Sequence, residues 1–74
     1  MKKQIIDFLT ELRPEYDFTQ QVDFIESGML DSLDIVALID FISETFGVNI
    51  PGNKIKSVSF RSIDAIVSLI DENK

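Results

Sequence analysis

The sequence contains no histidine, no cysteine and no tryptophan among its 74 residues. Without cysteine the chain forms no disulfide and no thiolate metal site, and without histidine it lacks the commonest general base and neutral metal ligand. A self-contained Ser–His or Cys–His hydrolase is therefore excluded. Positive charge is also scarce, since seven Lys and Arg accompany thirteen Asp and Glu. The net charge of −6 disfavours binding to nucleic-acid phosphates and predicts partners with basic surfaces.

Long apolar runs are absent as well. No stretch approaches the roughly 18 apolar residues of a membrane span, and the segment after the initial lysines is interrupted by Asp7 and Glu11, unlike a secretory signal. We therefore expect a cytoplasmic protein. A hydrophobic content of 45% with six Phe distinguishes the chain from a disordered acidic tail. A chain this short buries only about 60% of its unfolded surface, so one small domain over residues 1–74 is expected.

Three segments have the apolar spacing of amphipathic helices, and none has the alternation of a strand. They cover residues 1–12, 32–46 and 62–72, with a short irregular piece at 54–58. The apolar residues of each segment share one face and are Ile5, Phe8, Leu9 and Leu12; Ile35, Leu38, Ile39, Ile42 and Phe46; and Ile63, Ile66, Val67 and Ile70. Gly47 follows the second segment, where a left-handed cap is common. The pattern predicts an all-α fold.

Residues 13–30 form a long connection without any clear period. Pro14 and Gly28 are typical of a loop. Scattered apolar side chains are expected to anchor it, namely Tyr16, Phe18, Val22, Phe24 and Ile25. A connection of about 17 residues is unusual in so small a domain, and either a functional loop or a segment that crosses the top of a helical bundle explains it.

Acidic residues are concentrated in the middle of the chain. Eight of the thirteen acids, and no base, lie between Pro14 and Asn53, whereas the rest of the chain holds five acids and all seven bases. On the second predicted helix, apolar Leu33 and Val36 share the face opposite the core stripe with several carboxylates. This acidity has two interpretations, a solvated surface that keeps the protein soluble or a docking surface for basic partners.

The tetrad Asp31-Ser32-Leu33-Asp34 begins the second predicted helix. With Asp31 as N-cap and Asp34 three residues later, it is a variant of the capping box, which is a purely structural role. Alternatively, Ser32 is displayed at a helix N-terminus, where free N–H groups and the helix dipole tolerate an attached anion. No lysine lies within twenty residues of Ser32 to activate its hydroxyl, so any modification there requires another enzyme.

The run Phe24 to Val36 (FIESGMLDSLDIV), with Phe46 to Pro51 (FGVNIP) after it, resembles an acyl carrier protein. The resemblance covers nearly the whole chain and is most specific at Gly-x-x-Asp-Ser-Leu and Phe-x-x-x-Ile-Pro. It implies a four-helix bundle of the acyl-carrier type, with a short third helix and a long loop between helices 1 and 2. It also implies that Ser32 receives 4′-phosphopantetheine from coenzyme A through a phosphopantetheinyl transferase. The arm then carries an acyl or aminoacyl group as a thioester between enzymes, without catalysis by the carrier.

The resemblance assigns the second helix to partner docking. The implied partners of a monomeric carrier are the transferase, an acyl- or aminoacyl-loading ligase and a downstream acyltransferase. The docking residues expected around Ser32 and along its helix are Met29, Asp31, Leu33, Asp34, Val36, Asp40 and Glu44. The form Gly-Met-Leu-Asp-Ser-Leu is similar to D-alanyl carrier proteins and to stand-alone carriers of specialised acyl pathways. The cargo is thus open between an aminoacyl and a specialised acyl group, with an acyl group of fatty-acid synthesis as the less favoured alternative.

A different class of function fits the same residues. An unmodified acidic helical interaction module would bind a basic partner through Leu33 and Val36, and Ser32 would then be only part of a helix cap. No metal site is expected, because the calcium-loop pattern D-x-[DN]-x-[DN]-G is absent. Attachment of a pantetheinyl group to Ser32 discriminates between the carrier and the module.

Overall fold

The computed structural model describes all 74 residues and is entirely helical. Helix α1 spans Lys2–Leu12, α2 spans Ser32–Phe46 and α3 spans Ile63–Glu72. Two 3-10 helices, Gly52–Lys54 and Ser57–Phe60, lie between α2 and α3. The predicted all-α fold is confirmed, and each α-helix begins and ends within one residue of its expected position. None of the helices is both long and apolar enough to cross a membrane.

The segment between α2 and α3 differs from the short third helix that the resemblance implies. The irregular segment predicted at 54–58 overlaps the end of the first 3-10 helix and the start of the second, and Ile55 and Lys56 separate the two. Ile55 and Val58 are 40% and 52% exposed, so the segment has no apolar face that would stabilise a regular helix. Short 3-10 helices are common connectors in this situation. Phe60 is the one buried side chain of the two 3-10 helices, and it anchors the segment together with Val48 and Ile50, which precede these helices.

Local signals in the sequence fix both ends of α2. The Asp34 N–H donates to Asp31 Oδ1 and the Asp31 N–H donates to Asp34 Oδ2, each at 3.0 Å, which confirms the capping box. Gly47 ends the helix in the left-handed region at φ +67°, and its N–H donates to the Ser43 carbonyl. This confirms the predicted glycine cap. A residue with a side chain would adopt this positive φ only with strain.

The core is a single cluster of 14 buried apolar side chains. From the predicted helical stripes, the buried members are Ile5, Leu9, Leu38, Ile42, Ile66 and Ile70. Half-buried residues pack against them, namely Phe8, Leu12, Ile35, Ile39, Phe46, Ile63 and Val67. The largest fully buried side chains lie outside the three α-helices and are Phe18, Phe24 and Phe60. The connections therefore contribute as much to the centre of this domain as the helices do.

The connection between α1 and α2 contains no helix and is held to the fold near its centre. Phe18 and Phe24 pack edge to face with ring centroids 5.2 Å apart. The Phe24 N–H donates to the Arg61 carbonyl at 2.9 Å, and the Phe24 carbonyl accepts from the Leu30 N–H at 3.0 Å. Through Phe24, these two bonds connect Arg61, just before α3, with Leu30, just before α2. Tyr16 is 38% exposed but packs edge to face on Phe18, with ring centroids 6.4 Å apart, whereas Val22, also 38% exposed, was wrong as a predicted anchor.

Candidate functional site

Ser32 is the first residue of α2, and its side chain is exposed. The N-cap carboxylate of Asp31 precedes it, and Leu33, 77% exposed, follows it. Backbone N–H groups in the first turn of a helix have no intrahelical acceptor, and the helix dipole makes this end positive. Ser32 is therefore an accessible alcohol beside groups that favour an attached anion.

Asp34 lies on the same first turn but is only 5% exposed. Arg13 Nε donates to both carboxylate oxygens of Asp34, at 3.1 and 3.0 Å. Arg13 Nη2 lies 3.0 Å from Asp34 Oδ2 and 3.3 Å from Asp31 Oδ2. One guanidinium thus binds both acids of the capping box and joins the end of α1 to the start of α2. No buried side-chain nitrogen or oxygen in the chain lacks a hydrogen-bond partner.

The same contacts determine the charge at the start of α2. The hydrogen bond from the Asp34 N–H, and to a lesser degree the positive charge of Arg13, hold the pKa of Asp31 below its ordinary value despite some burial. The hydrogen bond and charge of Asp34 raise the pKa of Arg13. Asp31 and Arg13 are therefore both ionised at neutral pH, with opposite charges.

Asp31→Asn should reduce the acid sensitivity of the fold. Since the pKa of Asp31 is lower in the folded than in the unfolded chain, its contribution to stability is present above about pH 4 and disappears as the pH falls through the folded pKa. Thermal unfolding of the variant should then depend less on pH than that of the wild type between about pH 4 and pH 2. Part of the dependence should remain, because hydrogen bonds from Thr19 also lower the pKa of Asp17. An unchanged slope in Asp31→Asn, with Glu72→Gln as a control, would contradict this.

Most of the predicted docking residues lie on one exposed side of the molecule. We define the α2 face as Asp31, Leu33, Val36, Asp40 and Glu44. Leu33 and Val36 are 77% and 64% exposed, and Asp40 and Glu44 are exposed and form no ion pair within the chain. Along the helix, Leu33, Val36, Asp40 and Glu44 fall within one arc of about 80°, and Asp31 is the N-cap that precedes them. The α2 face therefore combines an apolar centre with the unpaired carboxylates of Asp40 and Glu44 and the Arg13-bound carboxylate of Asp31.

Two of the predicted docking residues are not on this surface. Met29 is 7% exposed and belongs to the core cluster, because the chain turns inward before α2 begins. Asp34 is 5% exposed and paired with Arg13. Predicting both as part of an exposed docking surface was wrong. Asp34 instead supports the turn that displays Ser32.

The sequence interpretation overlooked Arg13. The side chain reaches the capping box across 21 residues of sequence, a distance that no helical spacing predicts. One signal was available, since Arg13 is the only base between Lys3 and Lys54. A lone base in such an acidic segment has a strong electrostatic reason to be paired.

Ser32 stands on an open surface and not in a cavity. The largest depression, about 560 Å³, lies between the starts of α1 and α3 and is lined by residues such as Phe18, Gln20 and Arg61. Neither it nor the two smaller ones includes Ser32 or the α2 face. An exposed alcohol at a helix N-terminus fits a phosphodiester-linked group that another protein has to reach. No three acidic side chains are grouped to hold a metal ion.

Comparison with known proteins supports this fit. Residues 4–70 match the family model described as "Phosphopantetheine attachment site". The D-alanyl carrier proteins of two strains of Lactobacillus delbrueckii subsp. bulgaricus are each 38% identical to this chain over 53 residues. The match covers 69% of this chain and 65% of each relative, which is less than two thirds of the relatives' length. Since the family model covers most of the chain, the protein belongs to the phosphopantetheine-attachment family of carrier proteins, whose covalent prosthetic group is 4′-phosphopantetheine.

Proposed function

We propose that residues 1–74 form one non-catalytic carrier domain, which holds an acyl or aminoacyl group as a thioester on a 4′-phosphopantetheine arm attached to Ser32 and passes it between enzymes. One observation carries the proposal, namely the exposed Ser32 at the N-terminus of α2, inside the region that matches the family model. Coenzyme A, which donates the arm, is an intracellular compound, so the arm is attached to Ser32 in the cytoplasm.

Attachment forms a phosphodiester at Ser32. Ser32 Oγ bonds to the pantetheine phosphorus of coenzyme A, the bond to the second phosphate breaks, and adenosine 3′,5′-bisphosphate leaves. The proton of the hydroxyl passes to a base of the transferase, because this chain has no histidine or cysteine and no lysine near Ser32 in sequence, and the neighbouring Asp31 carboxylate is bound by the Asp34 N–H and Arg13. The dipole at the start of α2, together with the first-turn N–H groups that the Asp31 carboxylate leaves free, favours the negative charge of the new diester.

The α2 face is the proposed contact surface for the transferase, the loading ligase and the acyltransferase. Leu33 and Val36 provide apolar contact, and Asp40 and Glu44 meet basic side chains of the partner. Exposed charge pairs contribute only about 0–1 kcal/mol each, but they speed association and disfavour wrong partners. Weak contacts of this kind exchange rapidly, which suits a monomeric carrier that has to leave each enzyme after the reaction.

Leu33→Ser should raise the KM of a phosphopantetheinyl transferase for this protein. The substitution removes the most exposed large apolar side chain of the α2 face, and a loss of about 1 kcal/mol of apolar contact raises KM about fivefold. The melting temperature should hardly change, because the residue is on the surface. Val58→Ser is the matched control, since Val58 is also exposed but lies on the second 3-10 helix. Equal KM values for Leu33→Ser and wild type would remove Leu33 from the contact surface.

The intact mass of the wild-type protein tests the proposed function. After incubation with coenzyme A, Mg²⁺ and a broad-specificity phosphopantetheinyl transferase, we expect the addition of one phosphopantetheinyl group. Peptide mapping should locate the addition on Ser32. An addition at another residue would contradict the assignment of the site, and no addition would favour the unmodified interaction module.

The D-alanyl carrier relatives favour an aminoacyl cargo over a specialised acyl group. They share 38% identity with this chain, although over only part of their length. The mass of the thioester on protein purified from its native cell decides the point. An added alanyl group supports the aminoacyl cargo, and a longer acyl group contradicts it.

A further inference from the structure

We propose that Arg13 is a positioning residue for attachment at Ser32. Its guanidinium holds the first turn of α2 in the arrangement that presents the serine hydroxyl to the transferase. The inference rests on the proposed function, since it concerns the same serine. Arg13 acts through Asp31, directly before Ser32, and through Asp34, on the turn that follows it.

Arg13 binds a carboxylate at each end of this turn. Asp34 Oδ2 accepts from the Asp31 N–H at 3.0 Å and from Arg13 Nε at 3.0 Å. Asp31 uses one carboxylate oxygen for the Asp34 N–H and offers the other to Arg13 Nη2. Each acid of the capping box is therefore bound both to its partner's backbone and to the same guanidinium, with Ser32 between them.

Burial makes the guanidinium necessary for the turn. Asp34 is 5% exposed, and Arg13 is the only base with which it forms an ion pair. A buried carboxylate that loses its counter-charge has to become neutral or turn toward water. Either change weakens the acceptor of the Asp31 N–H, so the first turn of α2 loosens around Ser32.

Arg13 is itself fixed to the body of the protein. Its backbone N–H donates to the carbonyl of Leu9, a core residue of α1, at 2.8 Å, and its carbonyl accepts from the Tyr16 N–H at 3.2 Å. The side chain is only partly exposed, at 35%. Arg13 thus ties the turn that carries Ser32 to the core through α1, although the connection between α1 and α2 is long.

Positioning and charge steering predict opposite effects on the transferase reaction. Arg13→Gln removes a positive charge beside the acidic α2 face, so steering by a basic transferase should be unchanged or stronger and KM unchanged or lower. Most of the α2 face lies beyond the first turn and should stay intact. If Arg13 positions the serine, Arg13→Gln should instead lower kcat, because Ser32 is then held loosely. The loss should be on the order of tenfold to a hundredfold for a displacement of about 1 Å.

The test compares Arg13→Gln, Arg13→Lys and Lys3→Gln with the wild type, at a temperature at which circular dichroism shows each to be folded. Lys3→Gln is the matched control, since it removes one positive charge from α1 where Lys3 forms an exposed pair with Asp7. Steady-state rates with coenzyme A give kcat and KM, and hydrogen exchange is followed at the amides of Asp31 and Asp34. Arg13→Gln should lower kcat without raising KM and speed exchange at both amides. Arg13→Lys should be intermediate, because lysine retains the charge without the planar fork.

Two results would overturn the inference. One is a kcat for Arg13→Gln within twofold of the wild type. The other is an equal loss of kcat in Lys3→Gln, which would assign the effect to charge alone. Should Arg13→Gln be unfolded at the assay temperature, Arg13→Lys decides, and wild-type kcat and exchange in that variant reject the inference. Failure of the proposed function is distinguishable, because the wild-type protein would then gain no mass at Ser32.

Discussion

Ser32→Ala should gain no mass under conditions in which a phosphopantetheinyl transferase converts the wild type completely. Alanine has no oxygen with which to form the phosphodiester, so the expected effect is total and not graded. The fold should be unaffected, because the capping carboxylate belongs to Asp31 and the Ser32 side chain is exposed. Surface substitutions of this kind change the free energy of unfolding by about 0.5 kcal/mol or less.

Ser27→Ala provides the matched control for this prediction. Ser27 is an exposed serine of the connection that precedes α2, but it does not lie at a helix N-terminus. It should be modified at the wild-type rate. Equal mass gain in Ser32→Ala and wild type would show that the arm is attached elsewhere, and a large loss of thermal stability in Ser32→Ala would show that the serine is structural.

The parts of this structure that the sequence predicts are those that short-range physics determines. Apolar residues at helical spacing predict α1, α2 and α3, since each helix buries one face. The capping box and the glycine at position 47 define the ends of α2 through contacts within four residues. The accessible position of Ser32 follows from the same signals, whereas its selection as the attachment site came from the resemblance to acyl carrier proteins.

The parts that the sequence does not predict depend on where the long connection runs. Met29 has the same apolar character whether it faces a partner or the core, and only the path of residues 13–31 decides that it is buried. The pairing of Arg13 with Asp34 likewise requires the end of α1 and the start of α2 to meet. Ile39 and Phe46 were placed correctly on the core side of α2, where both are half-buried and pack against the core cluster.

Phe60→Ala is expected to be among the most destabilising single substitutions in the chain, since Phe60 is one of its three fully buried phenylalanines. Phe60 is completely buried and is the only buried side chain of the two 3-10 helices, so its loss leaves a cavity and removes the one buried contact of these helices. Truncation of a buried phenylalanine costs about 3–5 kcal/mol. A domain of this length has a total stability of roughly 4–11 kcal/mol, so much of the population should unfold near physiological temperature.

Phe60→Ala should also affect the attachment site, because backbone hydrogen bonds connect the residue after Phe60 to the start of α2. Phe60 precedes Arg61, whose carbonyl accepts from the Phe24 N–H, and the Phe24 carbonyl binds the Leu30 N–H just before α2. Urea unfolding of Phe60→Ala, Phe46→Ala and Val58→Ala should give losses that decrease in that order, because the three side chains are respectively buried, half-buried and exposed. Transferase rates below the melting temperature should fall in Phe60→Ala and not in Val58→Ala. A Phe60→Ala protein as stable as Val58→Ala would show that the 3-10 segment does not anchor the connection.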